Sequence, residues 1–337
     1  MDKGSKGRRA GRRCPWRGLL PALVTVVVTG CGSSVRVEDG VGGDAAPPRA
    51  SFTAVPFVSA HRGGAAYAPE NTMLAYRNAA RLGVDDFETD MLLTADAVPV
   101  LMHDDTLDRT TDCSGTVASK TYAEILQCDA AYWWSPGQST TSPDDAREHP
   151  LRGAGVQVPT AQDLFAFAAS FQGVYAPTVT IEIKLSAGDL FGTQAAQVLV
   201  DAIQASGIAD RIIVQSFNPA AIDAVKRLDA SVRTLYLTSG SATLGLGYAT
   251  LMGHEYVAPS HDSPDLDAAM VDAAHAAGKL VVPWTADREG DIQALVDIGV
   301  DGIITNSPGC LLALQERLHT AQLAPDAVAT ADVSLCK

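Results

Sequence analysis

Long apolar runs are absent from this chain of 337 residues. Nothing approaches the roughly 20 consecutive apolar positions of a spanning helix, which excludes a polytopic membrane protein. Thiolate-metal spacing is absent too: the six cysteines include no Cys-x-x-Cys pair, which argues against a structural zinc site. Cations are scarce beyond the N-terminus. The formal net charge is −14, and residues 1–30 hold seven cations against the single anion Asp2, so the remainder stands at −20. Such a body repels nucleic acid and favours a hard cation. What is present, 47% hydrophobic and 19% charged residues with aromatics spread along the chain, is a globular composition rather than a disordered one. It is enough chain for one domain of about 250 residues or two smaller ones.

Residues 1–30 join the basic segment to a short apolar stretch, Gly18 to Gly30, broken by Pro21. The stretch is too short to span and has the shape of a secretory signal. It ends in Val28-Thr29-Gly30-Cys31, and small residues before a cysteine resemble a bacterial lipobox, in which Cys31 is lipidated and becomes the mature N-terminus. The expectation is a lipoprotein signal peptide over 1–30, a flexible tether over 31–54, a folded body over 55–320 and a C-terminal tail over 321–337. The chain would then be exported and anchored to the outer face of the bacterial cell membrane; ordinary cleavage would leave it secreted. With Cys14 and Cys31 set aside, four cysteines remain. An even count outside the cytoplasm suggests two disulfides in one of three connectivities. Cys113–Cys128 and Cys310–Cys336 close the shortest loops and are the preferred pairs.

From residue 55 onward, strand patterns at 55–61, 84–91, 178–184, 211–216, 232–237, 255–260, 279–285 and 301–305 alternate with helical patterns at 70–82, 160–172, 189–206, 218–229, 265–277 and 288–298. Alternation of this kind implies a parallel sheet, and eight strands over this length fit an α/β fold of the (β/α)8 TIM-barrel type. Residues 98–103 also read as a strand, but they follow 84–91 too closely for a parallel crossover. We therefore expect a hairpin excursion after the second strand that turns at Ala95-Asp96-Ala97 and carries His103 over the C-terminal mouth of the barrel. An insertion over about 104–159, containing Trp133-Trp134, precedes the third strand. Those tryptophans either cap the site or pack locally beneath the Cys113–Cys128 loop.

In Glu88-Thr89-Asp90 the two carboxylates share a strand face. Side by side near the mouth they repel unless a cation sits between them. Glu182-Ile183-Lys184 repeats the spacing on the third strand. Glu88, Asp90 and Glu182 make a plausible oxygen site for one divalent cation, Ca²⁺ or Mg²⁺; the alternative is a Glu182–Lys184 ion network that only orders the barrel. His61-Arg62-Gly63-Gly64 lies at the end of the first strand, with Arg62 able to offer a fork to phosphate. His61 and His103 converging on one mouth suit phosphodiester hydrolysis, which needs a base for the nucleophile and an acid for the leaving alkoxide. The other five histidines read as bystanders, His261 the least clearly.

His61-Arg62-Gly63, Pro69-Glu70-Asn71-Thr72, Glu88-x-Asp90 and Pro99-Val100-x-x-His103-Asp104-x-Thr106-Leu107-x-Arg109-Thr110 together resemble the glycerophosphodiester phosphodiesterase family. Val158-Pro159-Thr160, Ile181-Glu182-Ile183-Lys184, Gln215-Ser216-Phe217, Pro283-Trp284-Thr285 and Gly299-Val300-Asp301-Gly302-Ile303-Ile304-Thr305 continue the match to about residue 310. The resemblance implies a metal-dependent hydrolase that releases sn-glycerol 3-phosphate and an alcohol. Glu88, Asp90 and Glu182 would hold the metal, and His61 and His103 would be the acid/base pair. Arg62 and Lys184 would bind phosphate oxygens, Glu70 would orient Arg62 or a histidine, and Trp284 would wall the glycerol. The chain departs from the family at Ala286-Asp287, where Asn often follows Trp-Thr, and at Thr305-Asn306, where Thr-Asp is usual. Rival readings are a phospholipase D-like or sphingomyelinase D-like enzyme acting on intact lipid, and a surface-binding lipoprotein that keeps only the barrel.

Overall fold

The computed structural model describes residues 56–137, 143–318 and Cys336. The signal, lipobox and tether expectations, and most of the C-terminal tail, lie outside the described residues. The strands are β1 (Phe57–Ala60), β2 (Asp86–Leu93), β3 (Pro99–Leu101), β4 (Thr178–Ile183), β5 (Ile212–Ser216), β6 (Arg233–Thr238), β7 (Tyr256–Pro259), β8 (Leu280–Val281) and β9 (Gly302–Thr305). Eight of them run parallel in the order β8-β7-β6-β5-β4-β2-β1-β9. Bonds from Asp301 N to Val281 O (2.9 Å) and from Ile304 N to Pro283 O (3.0 Å) draw β9 toward the β8 segment, so the sheet is a nearly closed barrel. Every residue of β1, β2, β4, β5, β7 and β9 is buried, as a parallel sheet covered on both faces requires. β3 is the expected excursion: it returns antiparallel along β2, with Leu92 opposite Val100.

The helices are α1 (Met73–Leu82), α2 (Tyr122–Ile125), α3 (Ala161–Ala169), α4 (Thr193–Ala205), α5 (Pro219–Leu228), α6 (Ala242–Met252), α7 (Ala268–Ala276), α8 (Glu289–Asp297) and α9 (Pro308–Leu314). Their starts are written in the sequence: Thr72, Thr160, Asn218, Ser241 and Asp267 each accept a backbone N–H of the first turn. Helix α6 is one that patterning misses, because Gly245 and Gly247 interrupt an otherwise apolar segment. Gly245 serves packing: a Cβ there would stand 2.6 Å from Thr238 Cγ2, so its absence lets α6 lie close on β6. Among the described residues no helix is long and apolar enough to cross a membrane.

The insertion carries its own small core, in which Leu107, Val117 and Ile125 pack with Leu92 and Val100 of the hairpin. Disulfides join Cys113 to Cys128 and Cys310 to Cys336. Trp134 is buried against Ala131 and Leu151, and Trp133 donates Nε1 to Thr111 O (3.0 Å) while Arg152 lies over its ring. The tryptophan pair packs locally and does not line the barrel mouth.

Candidate active site

At the end of β1 the chain enters a single 3₁₀ turn, His61–Gly63. Gly63 sits at φ +84°, and a Cβ there would lie 2.7 Å from Ala75 Cβ, so glycine is required for the turn to rest on α1. Arg62 adopts φ +52°, a left-handed conformation rare for a side chain of its size, and its backbone N–H is held by Glu88 Oε2 (2.8 Å). This turn points the Arg62 guanidinium inward, with Nη1 on Glu70 Oε1 (2.8 Å) and Nε 3.3 Å from Asp90 Oδ2. Glu70 also receives both terminal nitrogens of Arg109, at 2.8 and 2.7 Å. Burial resists ionisation of Glu70, but the two guanidiniums hold it down to about 2.

Strand alternation turns Glu88 and Asp90 into the barrel while Phe87 and Met91 join the outer core. Register does the rest: Asp90 pairs with Glu182 across β2 and β4, and Glu182 with Gln215 across β4 and β5. Glu88, Asp90 and Glu182 thereby offer oxygens within 4.8 Å of one another. Burial, reinforced by neighbouring Asp90, pushes Glu88 well above the ordinary carboxylate range. Burial also pushes Glu182 up to about 7, against the pull of Lys184, whose Nζ is 2.9 Å from Glu182 Oε2 and 3.3 Å from Asp90 Oδ1. Asp90 goes the other way, because Lys184 and Arg62 outweigh its burial. Asp90 Oδ1 and Gln215 Oε1 are buried without a hydrogen bond. An all-oxygen donor set of this kind fits a hard divalent cation rather than a thiophilic metal.

The histidines face the carboxylates from two directions. His61 Nδ1 lies 2.7 Å from Asn306 Oδ1, and Asn306 Nδ2 donates to Asp287 Oδ2 (2.9 Å). With Asn306 oriented by Asp287, Nδ1 of His61 is the donor and Nε2 keeps its lone pair, 4.0 Å from Glu88 Oε2. Burial and the Arg62 charge push His61 down to about 4, favouring the neutral ring. His103, delivered by the hairpin, places Nδ1 2.7 Å from Asp104 Oδ1, and Asp104 is braced by Arg109 Nε (2.6 Å).

His61, Arg62, Glu88, Asp90, His103, Glu182, Lys184 and Trp284 all line one open cavity. Glu70 stands behind Arg62 and precedes α1, so its partners are guanidiniums rather than a helix end. His261 is not among the lining residues; its Nε2 is 3.9 Å from Asp291. Sequence reasoning passed over Asn71, which donates to Asp90 Oδ2 (2.9 Å), over Arg109, and over Gln215, which donates to Glu88 Oε1 (2.7 Å). All three fall inside motifs quoted above, but only the register and the turn at φ +55° on Asn71 reveal what they touch.

The model of the glycerophosphoryl diester phosphodiesterase family matches residues 61–310. A glycerophosphodiester phosphodiesterase of Caldanaerobacter subterraneus is 30% identical over 76% of this chain and 96% of its own length. One from Bacillus subtilis is 28% identical over 74% of this chain and 83% of its own. Among solved structures, an Oleispira antarctica phosphodiesterase in complex with the product sn-glycerol-3-phosphate is similar with a TM-score of 0.65 and 25% identity, over 78% of this chain and 96% of that one. A putative glycerophosphoryl diester phosphodiesterase from Silicibacter pomeroyi shares the fold with a TM-score of 0.67, 24% identity and coverage of 79% and 96%. The motif residues are present and gathered in one cavity, and the chain belongs to the glycerophosphoryl diester phosphodiesterase family of phosphoric diester hydrolases.

Proposed function

We propose that this protein hydrolyses glycerophosphodiesters to sn-glycerol 3-phosphate and an alcohol, with Glu88, Asp90 and Glu182 holding one divalent cation, Ca²⁺ or Mg²⁺. The observation that carries the reading is the convergence of two histidines, two cations and three carboxylates on one cavity. Arg62 and Lys184 draw in the phosphate oxygens and offset the charge that builds on them in the transition state. The bound cation would supply further electrostatic stabilisation of those oxygens. His61, neutral and with a free Nε2 lone pair, takes the proton from the attacking oxygen, whether water or the glycerol 2-hydroxyl; in the second case water then opens the cyclic phosphodiester to glycerol 3-phosphate. His103, oriented by the contact of its Nδ1 with Asp104 Oδ1 (2.7 Å), gives a proton to the alkoxide as its bond to phosphorus breaks. Trp284, fixed by Nε1 donation to Ala258 O (2.9 Å), walls the glycerol. The N-terminal sequence supports export and anchoring to the outer face of the membrane through a lipid on Cys31.

The direct test is release of glycerol 3-phosphate from glycerophosphocholine with Ca²⁺, with Mg²⁺ and after chelation. Cation-dependent release is expected. His61→Ala and His103→Ala should each lower kcat about 10²- to 10⁴-fold with little change in cation affinity; near-normal turnover in both variants would sink the assignment. Mass spectrometry of the membrane-extracted N-terminus tests the anchor, a diacylglyceryl mass on Cys31 being the expected result.

A further inference from the structure

One side of the cavity mouth is apolar well beyond what a glycerol needs. Inside, Phe217 meets Trp284 edge to face with ring centroids 5.0 Å apart. Outside, Leu185, Leu190 and Phe191 follow the end of β4, and Leu190 and Phe191 are 64% and 67% exposed, high for adjacent large apolar residues. Asn218, next to Phe217, donates Nδ2 to Leu190 O (3.4 Å), joining this outer rim to the inner wall. The loop that presents it is built. Asp189 accepts from the N–H groups of Thr193 and Ala195, each at 2.9 Å, and Ser186 O receives Asp189 N at 3.0 Å. Gly192, at φ +64°, has no room for a Cβ: Ala221 Cβ would be 2.5 Å away, so the loop is seated on the start of α5. The neighbouring part of the mouth, reached from β2 through the hairpin, is charged, with His103, Asp104 and Arg109.

We propose that the Leu185–Phe191 rim receives an apolar chain carried by the leaving alcohol, so that the preferred substrates are glycerophosphodiesters whose alcohol bears a single long alkyl or acyl group. The proposal rests on the phosphodiesterase reading above. With the phosphate held by Arg62 and Lys184 and the glycerol against Trp284, the alcohol must leave through the open mouth. Lys184 is followed directly by Leu185, so the path from phosphate to solvent on that side runs over the rim. The reaction is unchanged: an oxygen bonds to phosphorus, the bond to the alcohol oxygen breaks, and that oxygen takes a proton.

The test uses sn-glycero-3-phospho-n-alkanols from methyl to octyl, kept monomeric, with glycerol 3-phosphate release as the readout. In the wild type kcat/KM should rise at least about tenfold from methyl to octyl, the scale of burying a pair of methylenes, mainly through KM. The double variant Leu190→Ser/Phe191→Ser should lose that rise while hydrolysing the methyl ester as before. A flat series in the wild type, or a rise that survives in the variant, overturns the proposal. Vesicles of phosphatidylcholine and phosphatidylglycerol separate the competing occupant: if the variant loses vesicle binding yet keeps the chain-length rise, the rim meets a bilayer instead. If the methyl ester is not cleaved at all, the phosphodiesterase reading fails. Calorimetric affinities of octyl and methyl esters for the same two proteins then still decide whether the rim binds a chain.

Discussion

Glu70 and Glu182 are buried to the same degree, 7% and 6% exposed, at the mouth of one barrel, yet their carboxyls behave oppositely. Glu70 has two guanidiniums, and is held down to about 2. Glu182 has a single ammonium that it shares with Asp90, and burial drives it up to about 7. Burial alone therefore does not set the outcome; the count of partners does. Glu70, Arg62, Arg109 and Asp104 form a compensated network that positions Arg62 and His103. Glu88, Asp90 and Glu182 are left with negative charge that a cation would neutralise.

Breaking the second cluster should cost activity and spare the fold. Glu182→Gln or Glu88→Gln is expected to lower turnover about 10³-fold, the scale lost when transition-state charge stabilisation is removed. Thermal stability without added cation should hold or rise, because a like charge has left a buried site. A variant that melts much earlier would show that the cluster is structural. Breaking the first cluster should do the reverse. Glu70→Gln removes the carboxylate shared by the buried Arg62 and the half-buried Arg109, leaving them Asp90 and Asp104, and is expected to cost about 1–3 kcal/mol in urea-unfolding free energy, with activity falling as Arg62 loses its brace. Unchanged stability would mean that Arg62 and Arg109 find other partners.

This contrast explains which parts of the site could be read from residues alone. The alternation around Glu88-x-Asp90 extends back to Asp86, which is equally buried. Asp86 accepts from the hydroxyls of Ser59, Thr178 and Thr180 and takes no part in the cavity. Period-two spacing says that all three face inward; only cross-strand register says which meet Glu182 and which meet hydroxyls. The eight-strand alternation, the hairpin and the disulfide pairs were legible because they depend on local pattern and short loops. Asn71 and Arg109 were not legible as site residues, since their contacts cross 19 and 39 positions of sequence. The exchange at Asp287 and Asn306, visible as a departure from the family, acquires a meaning only when Asn306 is seen between Asp287 and His61.

The smallest effect separates the clusters most cleanly, because their pH dependences carry opposite signs. Glu70, lowered from 4.5 to about 2, contributes stability that is full above 4.5 and is lost as pH falls from there toward 2. Glu182, raised from 4.5 to about 7, favours the folded state while protonated; that contribution is full below 4.5 and is lost as pH rises through 7. A divalent cation held by these carboxylates would reverse the second loss, since it would bind the deprotonated carboxylate and displace a proton. Its affinity should therefore climb with pH, by at most about tenfold per unit for each proton displaced, and level off above 7 to the extent that Glu182 governs it. Melting curves from pH 5 to 8, with and without Mg²⁺ or Ca²⁺, measure this directly. The cation-induced rise in Tm should widen with pH in the wild type and shrink in Glu182→Gln, while Glu70 leaves this window untouched because it stays ionised throughout. A cation-induced rise that is the same at pH 5 and pH 8 would mean that the cation does not compete with protons at these carboxylates, and the two clusters would no longer differ in kind.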